Sequence, residues 1–197
     1  MSVLVPTRGA GTWGLSSAPM LVTRLNVGCG GWPLAGWTNL DIDPAVGPDV
    51  VASVPPVPYP ENTLDEIYAG HILEHLDPAT ANVFLAECWR CLHPGGRLGV
   101  VVPDTREILT RYLAGTGDQV EYPGGRFWPI DDLESVCALF LYSTVQPSRH
   151  QWSYDATTLR QRIEAAGFEI DGPIDRMHDP RIPVGAWYQC GWDARKP

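Results

Sequence analysis

Residues Leu25–Gly31 (LNVGCGG) pass from a short apolar run into glycines, and the next apolar run, Thr38–Asp41 (TNLD), ends on a carboxylate. A nucleoside-binding α/β sheet needs this combination at its carboxyl edge. A buried parallel strand ends in a turn that glycine makes at little cost, and an acidic residue sits on the neighbouring strand tip. The bare amides of such a turn can approach a ligand, while Asp41 can receive ribose hydroxyls. Only ten residues, Gly31–Leu40, separate the turn from Asp41, and Pro33, Gly36 and Trp37 are among them. Parallel neighbours ordinarily need a crossover of a dozen or more residues, usually helical. The first crossover helix is therefore expected to be truncated to a turn or lost.

The remaining elements follow in α/β order. Strands are expected at Leu25–Val27, Thr38–Asp41, Asp49–Ser53, Leu64–Gly70 and Arg97–Val102, the last continuous and β-branched enough to be buried on both faces. The Pro-rich connector Val54–Pro60 can be neither helix nor central strand. Asp77-Pro78 supplies an N-cap and a first-turn proline for a helix running to about Leu92, where Pro94-Gly95-Gly96 is expected to stop it. Further helices are expected at Thr105–Leu113, Asp131–Tyr142 and Ala156–Ala166, and closing strands at Phe168–Ile170 and Gly185–Trp192. The order predicts a doubly wound α/β sheet with no internal repeat. Residues 1–23 read as a partly ordered leader, and 24–197 as a single domain.

Composition narrows the function. The chain of 197 residues carries a net charge of −9 and has no basic stripe, which argues against binding a phosphate backbone. No apolar run approaches the ~20 residues of a membrane span, and residues 1–24 lack the pattern of a signal peptide. Five cysteines without a disulfide-framework spacing fit a reducing, cytoplasmic setting. Cys88-Trp-Arg-Cys91 has no second CxxC and lies in a helical pattern, so its thiols are expected in the core. No metal site is expected. A small-molecule acceptor and a monomer or homodimer are the expected partners and state.

Two cofactors compete for the glycine turn. A nicotinamide dinucleotide needs GxGxxG at the head of a full helix to receive its pyrophosphate. Gly28 and Gly30 fit, but position 33 is proline and the helix is missing. S-adenosylmethionine carries no phosphate and needs only amides and small side chains at its amino-acid end. The residues favour it.

Four stretches then resemble a known family: RLNVGCGG (24–31), TNLDIDP (38–44), PYPENTLDEIYAGHILEHL (58–76) and CLHPGGRLGVVVPD (91–104). They are similar to class I S-adenosylmethionine-dependent methyltransferases of the small type 11-like kind. The resemblance implies a seven-stranded Rossmann-like sheet of order 3-2-1-4-5-7-6 with the last strand antiparallel. It implies S-adenosylmethionine as cofactor and S-adenosylhomocysteine as product. Asn26, Gly28, Cys29, Gly30 and Gly31 would hold the methionine portion, Asp41 the ribose, and Ile42 the adenine face. Ser53 stands where relatives commonly carry an acidic adenine contact, Val54 beside it is a further expected cofactor contact, and Ala69, Gly70, His71 and Ile72 would line the methyl-transfer end.

Methyl transfer from a sulfonium is an in-line displacement with a good leaving group, so positioning can supply much of the catalysis. Where the acceptor needs deprotonation, His71, His150 and Asp104 are the candidate bases. His75, in the LEHL turn, is expected to make a structural hydrogen bond. Residues 113–150 fall between the fifth strand and the next core helix and are expected to select the acceptor, with Trp128 and Trp152 as contacts. The activity expected is methylation of a small-molecule or saccharide acceptor. A catalytically silent cofactor-binding module or partner subunit is the alternative.

Overall fold

A computed structural model describes residues 23–114, 121–122, 125–126, 150–174 and 187–197. Seven strands form one sheet in the order β3-β2-β1-β4-β5-β9-β8, from β1 (Arg24–Val27), β2 (Thr38–Asp41), β3 (Val50–Val51), β4 (Leu64–Gly70), β5 (Leu92–Pro103), β8 (Glu169–Pro173) and β9 (Gln189–Arg195). Strands β1 to β5 pair in parallel, and β9 inserts antiparallel between β5 and β8. This is the expected 3-2-1-4-5-7-6 sheet with its last strand reversed. A separate hairpin pairs β6 (Glu121–Tyr122) with β7 (Gly125–Arg126).

Three α-helices accompany the sheet among the described residues: α1 (Pro78–Cys91), α2 (Thr105–Ala114) and α3 (Ala156–Ala165). The Asp77 side chain accepts from the Ala79 and Thr80 amides at the head of α1, and Pro78 occupies its first turn. Asp155 and Thr158 form a reciprocal capping box on α3. Strand alternation puts Leu25, Val27, Ile67, Ala69, Leu98 and Val100 on one sheet face, in a single buried cluster with Phe84 and Leu85 of α1 and Leu159 and Ile163 of α3. Each fully buried side chain of this size contributes about 1.5–3 kcal/mol. Cys88 and Cys91 lie in that core, as the sequence suggests.

The opposite face buries Tyr68 and Val101 but is otherwise marked by polar pairs. Asn26 donates to Asn39 Oδ1 (2.9 Å), Arg24 pairs with Glu66 (3.3 Å), and Arg97 approaches Asp193 (4.0 Å). Between β1 and β4 the chain makes only turns and one short 3₁₀ segment, Pro44–Val46, so these connections supply no α-helix to this side. The truncated first crossover is thus part of a wider shortening.

The strand expected at Phe168–Ile170 runs Glu169–Pro173, and the expected boundaries shift in three further places. Strand β3 shrinks to Val50–Val51, because it pairs only with Leu40 and Asp41 of β2. Pro94-Gly95-Gly96 lies inside β5 rather than ending α1, since Gly95 N–H donates to Lys196 O and Lys196 N–H to Gly96 O. The last strand runs Gln189–Arg195 rather than Gly185–Trp192, because Arg97–Pro103 of β5 needs a partner for its whole length. The helix expected at Asp131–Tyr142, Trp128, most of the 113–150 insertion and residues 1–22 lie outside the described residues.

Candidate functional site

The strands β1, β2 and β4 end together, and a cavity of about 550 Å³ opens at their carboxyl ends. Open α/β sheets place ligands at this edge. The lining includes Gly28, Asp41, Ile42, Ser53, Val54, His71 and Ile72, all expected from the sequence. It also includes His75 and Gln151, which were not among the expected cofactor contacts. Among the described residues it contains no lysine or arginine.

Gly28 is required twice over. Its φ is +68°, in the left-handed region, and a Cβ there would overlap Ile72 Cδ1. The turn's amides are not available in the way the sequence suggests. Gly28 and Cys29 N–H both donate to Leu40 O (2.8 and 3.1 Å), and Gly30 N–H donates to Asp41 Oδ2 (2.8 Å). The turn is thereby fixed to the tip of β2. Asp41 Oδ1 accepts from Asp43 N–H (2.9 Å), so the carboxylate is oriented by the backbone on both sides. Burial and the nearby Asp41 charge push the Cys29 thiol pKa up, which keeps it neutral. Beside Asp41, Ile42 is 68% exposed, an apolar side chain presented to the cavity rather than to the core.

Of the expected contacts, Cys29, Gly30, Gly31 and Gly70 are not among the cavity-lining residues, and two more lie further off. Asn26 is buried on the sheet face that carries the polar pairs and held by Asn39, and Ala69 is buried in the core. Neither borders the cavity, because each sits one residue before a strand tip, where the side chain lies within the sheet layers.

At the tip of β4, His71 adopts φ +56°, a conformation uncommon outside glycine and asparagine. Its Nδ1 lies 3.0 Å from Glu74 Oε1, and its Nε2 3.4 Å from Gln189 Oε1. Glu74 is buried in the 3₁₀ turn Leu73–His75. Burial raises its pKa, but the His71 hydrogen bond and the charges of His71, His75 and His150 together outweigh that and hold it below the usual value. His150 meets His75 edge-on with ring centroids 4.6 Å apart. It shares a small cleft with Glu74, Trp152 and Tyr154. Gln151 and Trp152 N–H both donate to Glu74 O (2.7 and 3.1 Å), and Gln151 Nε2 donates to His75 O (2.7 Å). Two segments far apart in sequence are thus joined at the cavity mouth.

Asp104 serves α2. Its Oδ1 accepts from Glu107 N–H (3.1 Å), and its side chain is outside the cavity lining. Burial pushes its pKa up. Trp152 is half exposed beside the small cleft.

Residues 25–100 match the sequence family described as a methyltransferase domain. No curated protein matches the chain. Among solved structures, a SAM-dependent methyltransferase from Archaeoglobus fulgidus is similar at 17% identity and a TM-score of 0.54, covering 89% of this chain and 86% of that one. The Burkholderia thailandensis 1,6-didemethyltoxoflavin-N1-methyltransferase, with 1,6-didemethyltoxoflavin and S-adenosylhomocysteine bound, is similar at 16% identity and a TM-score of 0.53, over 88% and 70%. The [4+2]-cyclase SpnF is similar at 20% identity and a TM-score of 0.51, over 89% and 74%. One fold therefore carries more than one reaction. The chain thus shares its fold with these structures, and residues 25–100, which span the glycine turn, the Asp41 strand and the β4 tip, match the methyltransferase-domain model.

Proposed function

We propose that the protein transfers a methyl group from S-adenosylmethionine to a small-molecule acceptor, with the cavity as the cofactor site. The lining carries the reading: a fixed carboxylate, an exposed isoleucine and a glycine turn, with no cation for a diphosphate among the described residues. Asp41 would accept the ribose hydroxyls, and Ile42 and Val54 would flank the adenine, with Ser53 at its edge. Since the Gly28–Gly30 N–H groups are engaged internally, the turn would meet the methionine end with its carbonyls and Cα surface. Carbonyls suit an ammonium group. His71 and Ile72 border the cavity at the tip of β4, where the transferred methyl would lie. The sulfonium supplies the electrophilic methyl when bound, and the residues around it hold the acceptor in line and exclude water.

The chain leaves β5 at Pro103 and returns to the cavity at His150–Tyr154, where Tyr154 bridges to Asp104 and Gln151 borders the site. This placement supports acceptor selection by residues 113–150. Calorimetry with S-adenosylhomocysteine tests the reading. The parent should bind it, NADH should give no heat, and Asp41→Ala should weaken S-adenosylhomocysteine by at least about tenfold, roughly 1.4 kcal/mol. Absence of heat at high protein concentration, or unchanged affinity in the variant, would overturn the site. Binding without turnover on any acceptor would favour a silent module on the same fold.

A further inference from the structure

Glu74, His75 and His150 each offer one ligand atom, and these atoms all lie within 4.8 Å of one another. Around a tetrahedral zinc ion, ligand atoms at about 2.0–2.1 Å from the metal stand roughly 3.3 Å apart, so small side-chain rotations would close the set. Convergence alone could reflect a buried carboxylate surrounded by compensating imidazoles. The two carboxylate oxygens argue for more than that. His71 is bonded to Oε1, whereas Oε2 is buried with no hydrogen-bond partner among the described residues. A buried carboxylate oxygen left unmatched is costly unless something positive meets it.

We propose that Glu74, His75 and His150 bind a divalent transition-metal ion of the zinc type beside the methyl-transfer end of the cavity. Two imidazole nitrogens and one carboxylate suit zinc, iron or cobalt, whereas magnesium and calcium prefer all-oxygen sites. His71 takes the outer position that ligating carboxylates usually have, a hydrogen bond that fixes the carboxylate's orientation. The three ligands are also held in advance. The Gln151 and Trp152 N–H bonds to Glu74 O, with the Gln151 Nε2 bond to His75 O, lock the segment carrying His150 onto the turn carrying the other two.

Three protein ligands leave a coordination position open, the arrangement of reactive rather than structural zinc sites. His75 borders the main cavity and His150 the adjoining cleft, so that position lies between the cofactor end and the return segment. The role of the ion rests on the methyl-transfer reading, although its binding does not. An acceptor hydroxyl bound to the ion would lose its proton to solvent more readily. Its oxygen would then attack the methyl carbon, the carbon–sulfur bond would break toward sulfur, and S-adenosylhomocysteine would leave. The substrate class is accordingly an alcohol or phenol.

Metal-stripped full-length protein titrated with Zn²⁺, and separately with Co²⁺, tests the site. One ion per chain is expected, with visible cobalt bands but no near-ultraviolet thiolate band, since the cysteines take no part. His75→Ala and His150→Ala should each weaken Zn²⁺ by about tenfold or more. His93→Ala, on the exposed start of β5, should bind Zn²⁺ as the parent does. Loss of stoichiometric binding, a thiolate band, or unchanged affinity in both histidine variants would overturn the proposal. If the variants fail to fold, anomalous scattering from Zn²⁺-soaked parent crystals decides it. An ion on these three residues supports the site, and an ion elsewhere refutes it. S-adenosylhomocysteine binding to the metal-free protein is read separately, so a wrong cofactor assignment and a wrong metal assignment give different results.

Discussion

His71 and Glu74 show how a single pair can shape a strand tip. His71 is held in a left-handed conformation that costs of order 1–3 kcal/mol and persists only where surrounding contacts determine it. Two bonds do so: its N–H donates to Val101 O (2.8 Å), and Nδ1 meets Glu74 Oε1. A hydrogen bond to a charged group is worth about 1.5–3 kcal/mol, so the pair can offset the strain. A double-mutant cycle of His71→Ala and Glu74→Gln in urea, with a chelator present, is expected to show coupling of at least about 1 kcal/mol. The backbone strain at position 71 enters both arms and cancels. Additivity within about 0.5 kcal/mol would mean that the contact does not stabilise the turn.

At the scale of elements, α3 gives a measurable cap. The Asp155 carboxylate accepts from Thr158 N–H (2.7 Å) and pairs with Arg106 (2.7 Å). The Thr158 amide bond, first among its causes, lowers the Asp155 pKa despite partial burial. A carboxylate lowered on folding contributes stability above its unfolded pKa and loses it as pH falls through the folded value. Asp155→Ala should therefore cost about 1 kcal/mol at neutral pH, with the difference from the parent vanishing in acid. Chemical denaturation at pH 7 and near pH 3 checks this, and a pH-independent difference would contradict it. The helices and central strands are legible in the sequence because their signals are local: Asp77-Pro78, Asp155 and the apolar runs at 25–27 and 64–70. The Pro94–Gly96 segment was not legible, because what makes it strand is its pairing with Lys196. The same holds for the site. Gly28, Asp41, Ile42 and His71 are marked by their neighbours, whereas the meeting of His75 with His150 depends on a return of the chain that no local pattern contains.

Across the whole sheet, order is unevenly distributed. Strands β4 and β9 are long and each pairs with β5, while β3 contributes two residues and the connections from β1 to β4 contain no α-helix. The proposed adenosine end of the cavity rests on that thin edge. Its backbone closure consists of a few bonds, Gly28 N–H to Leu40 O and Ala52 N–H to Asp41 O (2.9 Å) among them. Segments with few buried contacts open at low free energy, and a ligand that binds only the closed form suppresses the opening. Amide deuterium exchange should therefore be fast at Gly28 and Ala52 and slow across Ile67–Ala69. Saturating S-adenosylhomocysteine should slow the first group and leave the second almost unchanged. Equal protection of both groups, with or without ligand, would remove the inference. On this view a bound nucleoside does for β1–β3 what the missing crossover helices do in a longer sheet. The ligand becomes part of the packing, and occupancy of the site becomes a structural variable of the protein as much as a chemical one.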